Sequence, residues 1–350
     1  MASISRGVER VLAKCEACIN AGNYYEAHQM FRTVSFRYNS QQKYAEAADL
    51  LYRGALILLQ HNQHSSGADL SLLLLESLNK AKSPVTEETI SNVTKLFEVM
   101  DPDCPERYPY LTKAINWSSK VHKEHKRGHP DLHRRFGIIF WQERNYAQAR
   151  YHYIHSTDGE ACAQMLLEFH RTQGYPSEVD MFITQAVLQY LCLQNKATAS
   201  VCFEVYTQKH PEISQTPPYS LPLLNFIWML LIALDGGKLA VFTVLCEKYQ
   251  VSINRDPNYK EYLDQIGQTF FGVPPPQKTP QGLFGNLLQN VLGGSMGDDE
   301  QVIETPSGTP SNNRSSRNHD NFSALFNSNS SNLSAESPTT SKIEKALDLD

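Results

Sequence analysis

An all-α solenoid of stacked helical hairpins is the fold this chain predicts, on three observations. First, a short phrase recurs: Asn23-Tyr24-Tyr25-Glu26-Ala27 returns as Lys43-Tyr44-Ala45-Glu46-Ala47, then as Asn145-Tyr146-Ala147-Gln148-Ala149, and more weakly as Asn195-Lys196-Ala197-Thr198-Ala199. Second, apolar residues after each early phrase step by three and four: Tyr24, Ala27, Phe31, Val34, Tyr38, and then Tyr44, Ala48, Leu51, Ala55, Leu58. That step lays one apolar stripe along a helix. Third, no alternation of strand type rises above background anywhere. Two helices joined by the few polar residues from Asn39 to Gln42 make an antiparallel hairpin. A hairpin leaves one face uncovered until another stacks on it, so the expectation is a repeat array resembling tetratricopeptide repeats.

The elements follow in order. Val8, Leu12, Cys15 and Ile19 stripe a first helix that closes near Gly22, and the hairpin occupies Gly22 to Leu59. Gly67 to Ala81 is leucine-rich almost all round and reads as a helix buried between neighbours. Thr86 with Glu87 and Glu88 starts the next, since carboxylates suit a helix N-terminus. Ile90, Val93, Phe97 and Met100 stripe it, and Asp101-Pro102 ends it. A helix from Tyr110 to Lys126 is expected, anchored by Trp117, with a turn at Gly128-His129-Pro130 and a resumption through Leu132, Phe136 and Ile139. Thr157-Asp158-Gly159-Glu160 reads as a capping box led by Thr157. Gly174 closes that helix, and Pro176 sits at a harmless first-turn position. Val179, Ile183, Ala186 and Tyr190 stripe the following one.

Lys209 to Pro222 holds four prolines and is either a loop or an extended or hairpin excursion. Two helices flank Asp235-Gly236-Gly237, and Asp256-Pro257 opens a last one. The run Leu221 to Leu234 is too short for a membrane span of about 20 residues, and reads as a buried helix. A linker with a short amphipathic piece, Leu283 to Leu292, occupies 273–293. The Ser/Asn-rich remainder, 294–350, has too few apolar residues to offset its ordering entropy and is expected to be disordered.

Charge and cysteine content bound the function. The chain has 350 residues and a formal net charge of −5. That whole excess lies from Gly294 onward, and a neutral body argues against nucleic acid as the main ligand. Seven scattered cysteines and no apolar leader fit a reducing, cytosolic compartment. Cys15-Glu16-Ala17-Cys18 has no second pair for zinc and no preceding strand for redox work, so it reads as helix packing. His122, His125, His129 and His133 have spacings that suggest metal, and a metal-dependent enzyme is the rival of another class. Gly128 and Pro130 break the helix between them, however, and six Lys and Arg side chains from Lys120 to Arg135 oppose a cation. His152, His155 and Cys162 lack an oxyanion hole and read as packing or surface. No phosphate loop or nucleophile elbow is present, so nothing supports an enzyme.

The polar side of the first hairpin remains. The core stripe leaves Tyr25, Glu26, His28, Arg32, Arg37 and Asp69 free to point elsewhere. Mixed charge with tyrosine suits a specific protein interface. Composition alone reads the same side as an ordinary solvated face.

Several separated segments, in order, carry a resemblance: NYYEAHQMFRTVSFRY and YAEAADLLYRGALILL, then GADLSLLLLE, GHPDLH, PLLNFIWMLLIAL and KLAVFTVLCEKY. Together they resemble the family of Golgi-to-ER traffic protein four, the cytosolic solenoid subunit of the transmembrane-domain recognition complex, from about residue 5 to about 290. The resemblance implies a right-handed α-solenoid without catalysis or cofactor. Such a scaffold works in tail-anchored protein insertion into the ER membrane and in quality control of hydrophobic clients, without itself entering the membrane. The implied partners are the pathway's targeting ATPase, a ubiquitin-like adaptor and a BAG-domain scaffold protein, which it would retain in the cytosol. The N-terminal half (1–150) would dock the ATPase through Tyr24, Tyr25, Glu26, His28, Arg32 and Arg37, with Asp69 as an acidic contact. The C-terminal half (151–272) would hold the second partner around Tyr219, Leu223, Phe226, Phe242 and Tyr249, with 209–222 as a clamp. Without the resemblance, the repeat phrase alone implies a generic helical-repeat subunit of another assembly.

Overall fold

Every recurrence of the phrase is a corner between two helices. The computed structural model describes residues 6–122 and 124–274, and their regular structure is helical throughout. The helices are α1 (Arg6–Asn20), α2 (Tyr24–Ser40), α3 (Tyr44–Gln60), α4 (His64–Ala81), α5 (Glu87–Val99), α6 (Arg107–Val121), α7 (Pro130–Gln142) and α8 (Tyr146–Ile154). They continue as α9 (Gly159–Gln173), α10 (Val179–Cys192), α11 (Lys196–Lys209), α12 (Pro222–Gly236), α13 (Leu239–Lys248), α14 (Gln250–Ile253) and α15 (Asn258–Phe271), with a 3-10 turn at Pro176–Glu178. The amphipathic piece at Leu283–Leu292 and the 294–350 tail lie outside the described residues.

The corners share one geometry. Gly22, Gln42, Asn62, Arg144 and Gln194 all take positive φ. The next residue in each case donates its amide to the carbonyl five back (Cys18, Tyr38, Leu58, Phe140, Tyr190) at 2.8–2.9 Å. The positive-φ residue donates to the carbonyl three back at 2.9–3.1 Å. This is the Schellman closure, which satisfies the last carbonyls of one helix while turning the chain into the next. Four of these positions are not glycine, at φ of 58–61°, a conformation that costs an L-residue about 1–2 kcal/mol. The two bonds and the packed corner offset that cost.

The alanine of the phrase has a steric reason. Ala27, Ala47, Ala149 and Ala199 each sit four residues after the helix-capping position and are fully buried where consecutive helices meet. A fifth corner is disguised in the sequence. Gln63-His64-Ser65-Ser66-Gly67 closes α3 onto α4 with glycine in the alanine position, and a Cβ on Gly67 would lie 2.5 Å from Leu59 Cγ.

Most helices pack on the next in the chain, and many also touch the helix two along: α1 on α3, α2 on α4, α3 on α5, α5 on α7, α9 on α11, α10 on α12. That pattern is the solenoid. It ends where α15 folds back onto α10. α10 is therefore enclosed by α8, α9, α11, α12 and α15, and Val187, Leu188 and Leu191 join its expected stripe in the core. Its buried Asp180 is met by Arg255 at 2.5 Å.

Several sequence expectations are revised. α6 stops at Val121 rather than Lys126, and residues 124–129 form a turn without helix. The turn is held by the His133 ring on the Arg127 carbonyl at 2.9 Å. α9 is capped by Asp158, whose Oδ1 accepts from Ala161 at 2.9 Å, and not by Thr157. Thr86 caps α5 as expected, and Thr89 completes a capping box with it. Residues 210–221 contain no helix or strand. That loop is seated by the Ile213 and Tyr219 side chains and by paired bonds between the Asn225 amide and the Tyr219 backbone at 2.7 and 2.8 Å.

Candidate partner-docking faces

The first face is built on α2 and α4. Asp69 rises from α4 opposite α2, where one guanidinium nitrogen of Arg32 donates to both its oxygens at 2.6 Å and His28 Nε2 lies 2.8 Å away. Asn39 adds a 3.0 Å bond to Ser77 between the same helices. The apolar stripe leaves His28, Arg32 and Asp69 free in expectation, but in the structure they are paired. They are partly buried and satisfy one another across the helix seam. Helical spacing shows which residues leave the core stripe of α2, but not that α4 presents a carboxylate to two of them.

Tyr25, 77% exposed, and the exposed Glu26 and Arg37 do face outward. Tyr24 is half-buried, its ring 5.7 Å from that of His61. Sequence reasoning misses Phe36, which is 48% exposed, with the Arg32 guanidinium 5.7 Å from its ring centre. A signal was available: Phe36 is apolar and off the buried stripe. The resulting surface has aromatic rings at both ends of a neutralised ion cluster, with Glu26 and Arg37 unopposed at its margins.

The second face lies on α12, α13 and α14. Here most of the expected residues point inward. Tyr219, Leu223, Phe226 and Phe242 are buried in the chain's own core, and Tyr249 is half-buried between Phe226 and Met229. Large side chains on a long apolar helix fill the core first. The outward apolar residues are Met229, Ile232, Leu239, Val241, Val244 and Val251. Leu221–Leu234 is thus not a helix buried all round, because Met229 and Ile232 leave it on the solvent side.

The histidines divide into an outer and an inner set. His122, His125 and His129 cluster with ring centres 5.1–5.9 Å apart. His133 leaves them for the interior, where its Nδ1 lies 3.0 Å from His152 Nδ1. Among the described residues no group of three or more His, Cys, Asp or Glu side chains is arranged to hold a metal ion. His133 Nε2 faces a carbonyl and must donate, so His133 Nδ1 accepts from His152 Nδ1–H. His152 Nε2 is then a buried lone pair without a partner. Burial holds His133 down to about 3 and His152 well below the usual histidine range.

A second inner pair repeats the device. The Glu212 amide donates to His210 Nδ1, His210 Nε2 donates to His170 Nδ1 at 3.1 Å, and His170 Nε2 donates to the Tyr175 carbonyl at 3.0 Å. These are structural chains of neutral imidazoles that hold two loops. His152 is committed to His133 and forms no nucleophile pair with Cys162. Cys15 is fully buried, and burial pushes its thiol up to about 12, the opposite of a redox-active cysteine.

A model of the Golgi to ER traffic protein 4 family matches residues 41–292. This chain belongs to that family. Among curated relatives, a Golgi to ER traffic protein 4 homolog of Xenopus tropicalis is 57% identical over 294 residues, covering 84% of this chain and 90% of the relative. A human homolog is 55% identical over 306 residues, covering 87% and 92%. Among solved structures, the crystal structure of C. therm. Get4 superposes with a TM-score of 0.72 at 27% identity, covering 86% of this chain and all of that one. Family, all-α fold and stacked hairpins therefore agree. The family match begins in the corner between α2 and α3 and continues past the last described residue to 292.

Proposed function

We propose that this protein is a non-enzymatic cytosolic scaffold of the tail-anchored protein pathway. It hands membrane-protein clients to a targeting ATPase for insertion at the ER, and it supports quality control of hydrophobic clients. The N-terminal half, residues 1–150, docks the ATPase through Tyr25, Glu26, Phe36 and Arg37 around the His28–Arg32–Asp69 cluster. The C-terminal half, residues 151–272, holds the ubiquitin-like adaptor or a BAG-domain scaffold on the outward apolar side of α12–α14, and this contact keeps the BAG-domain scaffold in the cytosol.

The observation that carries the reading is family membership, joined to two separate outward faces of opposite chemistry on one helical array. No helix among the described residues is long and apolar enough to cross a membrane, which suits a carrier subunit. The test is recovery of partners from cytosol on the tagged full-length chain. The ATPase, the adaptor and the BAG-domain scaffold are expected. Recovery of none of the three overturns the proposal.

A further inference from the structure

The apolar face at the C-terminal end needs an occupant. Six of the eleven large apolar side chains exposed among the described residues lie between Met229 and Val251. Met229 and Ile232 are one helical turn apart on α12, and Val241 and Val244 repeat that spacing on α13. The Tyr249 hydroxyl reaches Met229 Sδ at 3.9 Å, which carries the surface from α12 across to the start of α14. A helix apolar on its outer as well as its inner side is one that something else covers.

The path of the chain supplies a candidate. α15 ends against α13: the Phe271 ring stacks on Phe242 with centres 4.8 Å apart, and Gly267 also faces the Phe242 ring. Val273, two residues later, is still buried. The chain therefore leaves the described region at Pro274 beside α13. Leu283 follows nine residues on, so it stays within about 30 Å of that point even on a fully extended chain.

The segment that begins there matches the face. Leu283 to Leu292 contains no charged residue, and Leu283, Phe284, Leu287, Leu288, Val291 and Leu292 recur at steps of three and four. The family match runs through this segment and stops at 292, which groups it with the helical body rather than with the Ser/Asn-rich remainder. A short tether gives an effective concentration on the order of millimolar, so an intrinsically weak apolar contact is still mostly formed.

We propose that Leu283–Leu292 docks on the outward apolar side of α12, α13 and α14 of its own chain. A partner that uses this face must displace it, a consequence that rests on the partner assignment made above. The docking itself does not.

Two experiments on the full-length chain test it without any partner. In the first, Ile232→Cys is combined with Leu288→Cys, and Ile232→Cys with Ser330→Cys serves as a distant control. Under mild oxidation the first pair is expected to close within one chain at a yield independent of protein concentration. A yield no higher than the control overturns the proposal. So does a disulfide-linked dimer that grows with concentration, because a second copy would then be the occupant. In the second, Leu287→Asp with Leu288→Asp is compared with the native chain by amide exchange. Exchange across 229–251 should accelerate at least about threefold while the protection of α2–α4 stays constant. Unchanged exchange across 229–251 overturns the proposal. If both experiments succeed and partner affinity does not rise in the Leu287→Asp/Leu288→Asp chain, the docking stands and the partner assignment falls.

Discussion

The α2–α4 face and the α12–α14 face differ in how they treat their own chemistry. The first binds its charges internally: Asp69 is taken up by Arg32 and His28, and aromatic rings and marginal charges are left facing outward. The second leaves six large apolar side chains outward, with exposed Asp235, Lys238, Glu247 and Lys248 around them. A surface of the first kind recognises through electrostatics that salt weakens, and one of the second kind through apolar burial that salt leaves alone. One scaffold can thus carry two partners that do not compete for the same type of surface.

The sharpest way to break this comparison is to separate core from surface on α12. Phe226→Ala should cost about 3–5 kcal/mol because its ring is buried. Ile232→Asp, on the outward side of the same helix, should change stability by only about 0.5 kcal/mol. It should still weaken the second partner on the order of a hundredfold, as loss of a central apolar anchor does. Denaturant titration and calorimetric binding read the two effects. An Ile232→Asp chain that binds normally places the partner elsewhere.

The α9–α11 packing at the start of the C-terminal half comes next. A Cβ on Gly159 would lie 2.5 Å from the Thr198 carbonyl oxygen, a backbone atom that cannot swing away. Gly159→Ala should cost about 1–3 kcal/mol. Amide exchange shows whether the two faces belong to one cooperative unit. Loss of protection confined to α9–α15 means they do not, and loss that includes α2–α4 means they do.

Acid tests the inner histidines, which lie on neither face. His133, His152 and His210 are held below the usual histidine pKa by burial. Between the unfolded value of about 6.5 and the depressed folded values, the unfolded chain binds more protons, so stability falls as pH falls. Near pH 5.5 the loss should approach about 1 kcal/mol for each deeply buried imidazole. Thermal unfolding from neutral to mildly acidic pH should show a falling midpoint. Replacing His133 and His152 together with Gln should flatten that slope. A midpoint independent of pH would show that these rings charge freely in the folded state.

The smallest effect concerns Asp69→Asn. The cluster is about one-third exposed, so solvent screening limits its contribution to under about 1 kcal/mol. Binding of the ATPase should weaken, and its salt dependence between about 0.1 M and about 1 M should shrink. A fall in the unfolding midpoint with unchanged ATPase affinity would make Asp69 a tie between α2 and α4 and nothing more.

Much of the architecture is legible in the residues, for identifiable reasons. The phrase ending in alanine recurs because a corner between tightly packed helices admits only a small side chain. It vanishes at Gly67 because glycine meets the same need with a different letter. Four of the residues expected to hold the second partner, Tyr219, Leu223, Phe226 and Phe242, are core. A stretch such as Leu223-Leu224-Asn225-Phe226-Ile227-Trp228-Met229 is apolar in every direction, so periodicity cannot say which side faces solvent. Helical spacing correctly put Arg32 off the core stripe of α2, but the carboxylate that holds it lies 37 positions away on α4.

By itself the sequence determined where helices begin and turn, which faces bear apolar stripes, and the family to which the chain belongs. Those follow from local backbone chemistry and from side-chain order, both of which are written along the chain. Only the tertiary structure decided that His28 and Arg32 both meet Asp69, that His133 turns inward to His152, and that Ile232 rather than Phe226 meets the outside. Each of these depends on which distant helix lies opposite, and that choice is made when the hairpins stack.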